Sequence, residues 1–259
     1  SPPGVADCRS GDWHEGIEVL RGLAALGVLL FHCVDLLPWG VAGTPLEIFR
    51  SGWTGVDLFF VISGYVIAGS ALRQKNSGNF SRRYWTARLA RIVPLYYITL
   101  FAYIALVPTA TGSGYAASNV IGHLLFLHTF HPDSTFSING VTWSLGIEMQ
   151  FYLLAFLAVP LMARWPARRL AMGYLALLAG VLTFRMMAWQ ITHRPDAAND
   201  TYVLNALAQA PALLDSFALG VLIQLLGVKL SVRRGVALLL LSIILAVAIN
   251  RYYVAKASI

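Results

Sequence analysis

Charge is scarce in this chain. Only 12% of its 259 residues are charged, about half the share of an ordinary soluble domain. Hydrophobic residues make up 58%, which excludes a soluble globular domain and implies a polytopic membrane protein. Cysteine is almost missing too. Cys8 lies in a polar tail and Cys33 in an apolar run, so there is no disulfide framework and no metal-ligand spacing. Cys33 follows His32 directly, but at i+1 it points about 100° away and reads as packing. No signal peptide, internal repeat or low-complexity tract is readable. Acidic residues are the scarcer sign, 12 against 19 basic, for a net charge of +7. The basic residues sit in short loops between apolar runs. That is a topological pattern and excludes nucleic acid as a partner.

What the chain has is apolar length. Runs long enough to span occur at 17–38, 52–72, 92–110, 142–163, 169–192, 203–226 and 234–254. The run 120–130 is too short to cross ~30 Å of hydrocarbon and reads as a re-entrant or interfacial segment. The expected fold is all-α, a transmembrane bundle of about seven spans. Basic clusters follow the second span (Arg73 to Arg91), the fourth (Arg164, Arg168, Arg169) and the sixth (Lys229, Arg233, Arg234). With a cytoplasmic N-terminus, all three clusters face the cytoplasm. Residues 1–16 then form a cytoplasmic tail and 17–259 the membrane domain. The chain begins Ser-Pro-Pro-Gly and stops just after an apolar run, and is expected to be a piece of a longer protein.

Titratable groups inside spans are costly and tend to mark substrate or proton paths. Arg21 and His32 are eleven residues apart, almost three full turns, so they share one face of the first span about 16 Å apart. His32 lies roughly 9 Å in from the outer end, and Glu148 in the fourth span lies at a similar depth. That makes them candidates for one site. Asp35, one turn after His32, is placed to orient the imidazole, and Asp57 in the second span is a further candidate partner. Both aspartates also fit a plain hydrated interface. Arg88 and Arg91, one turn apart, suit a phosphate group. Ser144, Glu148 and Tyr152 form a polar stripe, with Trp143 suited to an aromatic belt. His123, His128 and His131 lack an acidic partner at ligand spacing and read as interfacial, so no metal is expected. Arg185 either snorkels to an interface or is paired inside.

Four stretches carry a resemblance. Residues Glu18 to Leu26 leading to Phe31-His32, Gly52 to Tyr65, Arg88 to Pro94, and Thr142 to Tyr152 resemble, in order and spacing, the acyltransferase-3 family of integral membrane acyltransferases. Pro211 to Gly220 resembles a later helix more loosely. Glu18 stands where the family often has aspartate, which keeps the carboxylate. The resemblance implies transfer of an acyl group, commonly acetyl, from acyl-CoA in the cytoplasm to a hydroxyl of a surface or exported glycan. It implies a bacterial cytoplasmic membrane, no bound cofactor beyond acetyl-CoA as co-substrate, and a ten-span unit of which this chain supplies part. It casts Arg21 and His32 as paired essential residues of the first helix, Arg88 and Arg91 as the basic pair near the donor, and Glu148 as the acidic residue of the Trp-Ser-Leu motif. With the spacing, His32, Glu148 and Asp35 are expected to be catalytic and Arg21, Arg88 and Arg91 donor-binding. Asp57, Ser63, Tyr65, Trp143, Ser144 and Tyr152 would line the cavity or acceptor site. The acceptor and the oligomeric state stay open. The competing class is a transporter or channel with an Arg/His/Glu relay, for which inverted repeats or paired broken helices would be expected.

Overall fold

A computed structural model describes residues 11–37, 40–41, 43–74, 78–107, 114–192 and 209–228. The elements are helices α1 (Gly11–Asp35), α2 (Gly55–Gln74), α3 (Phe80–Leu106), α4 (Ala117–Leu124), α5 (Pro132–Thr135), α6 (Trp143–Met162), α7 (Ala167–Thr192) and α8 (Ala210–Leu225). A 3-10 run, Pro45–Thr54, leads into α2, and shorter 3-10 turns flank α5. Among the described residues there is no strand.

Among the described residues, five helical stretches are long and apolar enough to cross a bilayer: Gly16–Asp35, Pro45–Gln74, Phe80–Leu106, Gly140–Met162 and Ala167–Ala188. The protein is a multi-pass membrane protein. Four of the expected runs, 17–38, 52–72, 142–163 and 169–192, coincide with these stretches. The expected run 92–110 is corrected at its start. Its helix begins at Phe80, because no glycine or proline interrupts the good helix formers before Pro94. Arg82 and Arg83 therefore belong to the first turn of α3 rather than to a loop, and Arg88 and Arg91, expected at the start of the span, lie within the same helix. α8 covers residues 210–225 of the run 203–226, and residues 234–254 lie outside the described residues.

Residues 117–142 hold only short helices, none long enough to span. α4 ends where the Leu127 amide donates to the Gly122 carbonyl (2.7 Å) and the Phe126 amide to the His123 carbonyl (3.1 Å). That is a Schellman ending. The left-handed position usual for glycine is taken by Phe126, at φ +57°. Stacking of Phe126 on the Tyr96 ring, 4.3 Å between centroids, holds this costly conformation in place. The chain then doubles back to deliver His128.

The described residues fall into two compact units, one ending at Ile62 and one running from Ser63 to Val228. In the first, α1 packs on the 3-10 run through glycines. A Cβ at Gly52 would land on the Gly27 carbonyl, and one at Gly55 would sit 2.5 Å from the Ala24 carbonyl. Small residues let membrane helices approach this closely. The second unit uses the same device, since a Cβ at Gly64 would land on the Phe217 carbonyl of α8. Phe151 of α6 stacks on Phe217, 4.6 Å between centroids. Arg185 of α7, left open by the sequence, is paired inside: it donates to Asp215 of α8 (3.0 Å) and to the Ala212 carbonyl (2.9 Å). α3 joins α6 through stacked Phe80 and Phe156, 5.2 Å apart. Large apolar side chains on the outer faces, such as Leu95, Ile98 and Leu157, are exposed as a bilayer requires.

Candidate active site

In the first unit, α1 is unbroken from Gly11 to Asp35, so Arg21 and His32 keep their common stripe about 16 Å apart. Arg21 is buried and His32 is exposed. The Arg21 Nη1 donates to Glu18 Oε1 at 3.3 Å, and its guanidinium lies 5.7 Å from the Phe59 ring centroid. Its Nε is buried with no hydrogen-bond partner. A buried orphan donor on a cation costs free energy unless an acceptor is found for it. His32 meets the Phe31 ring edge-on at 5.2 Å. Asp35, one turn on, is exposed at the end of α1, and Asp57 is half-buried in the first turn of α2. Cys33 is exposed.

The second unit holds Glu148, 4% exposed in an apolar helix. Two hydroxyls donate to its Oε1: Tyr152 at 2.7 Å from one turn along α6, and Ser63 at 3.2 Å from α2. These two donors offset part of the cost of burying the carboxyl group in an apolar helix. Tyr84 of α3, completely buried, donates from its hydroxyl to the Tyr152 carbonyl at 2.7 Å. Arg88, one turn further, lays its guanidinium 3.6 Å over the Tyr84 ring and 5.7 Å from the Tyr152 ring. Its Nη1 donates to the Tyr84 carbonyl at 2.8 Å, while its Nε is buried and unpartnered like that of Arg21. Three helices thus converge on one connected polar group in an otherwise apolar interior.

The expected pairing of Arg88 with Arg91 needs correction in environment. Arg88 is 6% exposed whereas Arg91 is exposed, because three residues turn a helix by about 300° and only one of the two faces α6. Tyr65 and Trp143 are half-buried, and Trp143 meets Phe136 at 6.4 Å. The Ser144 hydroxyl lies 3.5 Å from the Val141 carbonyl. Tyr84 is missed by sequence reasoning because the residues around it read as loop. Its i, i+4 relation to Arg88 is the signal that points to it.

The histidines expected at an interface divide. His131 is exposed, near Asp133 (3.9 Å), but His123 and His128 are completely buried. Their rings stack 4.0 Å apart, nearly parallel. Tyr96 lies 3.2 Å from His123 Nδ1 and donates to its carbonyl at 2.9 Å. Burial holds both imidazoles below their ordinary range, and for His128 the pKa drops to about 4, with the neighbouring His123 adding to the effect. A Cβ on Gly146 of α6 would sit 2.9 Å from His128 Cε1, so the helix backbone rests on the imidazole. Gln150, one turn on, donates to Thr129 at 2.8 Å. This segment supports the face of α6 next to Glu148. Among the described residues no group of three His, Cys, Asp or Glu is placed to hold a metal ion.

The sequence profile of an acyltransferase domain matches residues 14–257. The chain belongs to the acyltransferase-3 family. Among relatives of this acyltransferase-3 chain, the peptidoglycan O-acetyltransferase OatA of Listeria monocytogenes is 31% identical over 55% of this chain and 24% of its own length. The acyltransferase MdmB of Streptomyces mycarofaciens is 29% identical over 88% of this chain and 61% of its own length. The chain therefore spans less than two thirds of these relatives. No solved structure matches it.

Proposed function

We propose that this acyltransferase-3 protein moves an acyl group, most simply acetyl, from acyl-CoA to a hydroxyl of a cell-surface or exported glycan. The observation that carries the reading is the buried Glu148 carboxylate, gripped by two hydroxyls and linked through Tyr152 and Tyr84 to a buried arginine with an unused donor. A resting ion pair would satisfy Arg88 internally. Here its Nε is held for an anion that comes and goes, as a donor phosphate does.

In this reading Arg88 binds the anionic end of the donor from the cytoplasmic side, with Arg91 adding charge at the mouth, and Arg21 has a donor-binding role of its own on α1. His32 is the base: it takes the proton of the acceptor hydroxyl as the oxygen attacks the thioester carbonyl. The carbon–sulfur bond breaks, an ester bond forms, and the proton passes to the departing thiolate. A second route has His32 accept the acyl group first and pass it on. Asp35, one turn from His32 on the same helix, is the carboxylate placed to orient the imidazole, and Glu148 is the second catalytic carboxyl group. The apolar surroundings keep water from the thioester. The glycan class follows what the Listeria relative is named for.

The test is transfer of label from acetyl-CoA by the protein in membranes, comparing wild type, His32→Ala and Arg88→Ala at equal membrane levels. His32→Ala is expected to abolish transfer, and Arg88→Ala to weaken use of the donor. Full activity in His32→Ala refutes the assignment of the base. Absence of both transfer and CoA-thioester binding in wild type favours a transporter.

A further inference from the structure

We propose that Tyr152 is a positioning residue whose hydroxyl fixes the Glu148 carboxylate, and that Arg88 holds Tyr152 in place through Tyr84. The proposal rests on the acyl-transfer reading of Glu148 and deepens it. Tyr152 is 3% exposed, and its hydroxyl is spent on Glu148 rather than turned towards an acceptor. Its backbone is fixed by the Tyr84 hydroxyl, and its ring shares the Arg88 guanidinium with the Tyr84 ring. Ser63 adds a second donor to the same carboxyl oxygen from a different helix. The series Arg88, Tyr84, Tyr152, Glu148 is continuous, each member in direct contact with the next.

Two consequences separate this arrangement from simple packing. An anion at Arg88 pulls on the same aromatic pair that holds the carboxylate, so loss of Arg88 should lower kcat as well as raise the donor KM. Loss of the Tyr152 hydroxyl should lower kcat alone. Tyr152→Phe keeps the ring beside the Arg88 guanidinium and removes one hydrogen bond.

The experiment has two arms. In the first, Tyr152→Phe is expected to lower kcat on the order of tenfold with the donor KM changed less than about twofold. The kcat losses of Arg88→Ala and Tyr152→Phe should combine to less than their product. In the second arm a hydrophobic carbodiimide labels carboxyl groups in membranes, with Glu148 read by mass spectrometry and Glu148→Gln as blank. Labelling should rise severalfold in Tyr152→Phe and, to a smaller extent, in Ser63→Ala. Unchanged kcat in Tyr152→Phe, fully multiplicative losses, or labelling equal to wild type overturns the proposal. A wild type that neither transfers an acyl group nor binds the CoA thioester refutes the acyl-transfer reading instead, and the labelling arm then still decides whether Tyr152 holds Glu148.

Discussion

Replacing Gly146 by alanine would put a methyl group 2.9 Å from His128 Cε1, 3.1 Å from its Nε2 and 3.0 Å from Thr129 Cγ2. None of these neighbours gives way easily. His128 is stacked on His123, and Thr129 is bonded to Gln150. Overpacking of this kind costs about 1–3 kcal/mol, and two pinned neighbours place the case towards the upper end. Against this, alanine is favoured over glycine in a helix by about 1 kcal/mol. The net expectation is a loss of about 1–2 kcal/mol. At 2–4 °C per kcal/mol for a chain of this size, the melting temperature should drop by roughly 2–8 °C. The same change in a His128→Ala background loses its main clash, and the helix preference should then leave it neutral or stabilising. Thermal melting of the four proteins in one detergent gives the coupling directly, expected at about 2 kcal/mol. Gly146→Ala as stable as wild type, or equal effects in both backgrounds, would refute the seating of α6 on His128.

The buried imidazole also sets a pH dependence. His128 has a folded pKa of about 4, below the ordinary 6.5, so the unfolded chain takes up a proton that the folded one refuses. Its contribution is fully present above pH 6.5 and lost as pH falls towards 4, up to roughly 3 kcal/mol. Melting curves between pH 7 and 4 should show a shallower acid decline in His128→Phe than in wild type, and parallel declines would contradict it. Breaking the Arg185–Asp215 pair with Asp215→Ala strands a cation between α7 and α8. Because Arg185 is about a third exposed, the loss should be roughly 1–3 kcal/mol, below the range for a fully buried pair. Melting of Asp215→Ala within a degree of wild type would show that the pair contributes nothing.

Much of the candidate site is legible in the sequence. The spacing of Arg21 and His32 fixes their common stripe whatever surrounds the helix, because helical periodicity is local. Glu148, Ser144 and Tyr152 lie on one face of α6 for the same reason. The limits of that reasoning show at Arg88 and Arg91. Periodicity places both at a helix start, but only contact with Tyr84 and Tyr152 decides that one is buried and the other is not. The histidines make the same point from the opposite side. Nothing local in the residues 120–130 says that they fold back beneath α6. The stacking of Phe126 on Tyr96 does, across thirty positions of sequence.

The sequence by itself determined the class of this protein. Scarce charge, long apolar runs and four ordered motifs leave few solutions, because a bilayer demands that every buried backbone group be satisfied within its own helix. It also picked out polar residues that are costly inside such helices. Tertiary structure alone decided what those residues touch: Ser63 and Tyr152 on Glu148, Tyr84 on Tyr152, Arg88 over both rings, and Arg185 on Asp215. The physical reason is range. Helix formation and membrane insertion are set by neighbours within a few residues, whereas the orientation of a buried carboxylate is set by donors that arrive from other helices at distances no periodicity encodes.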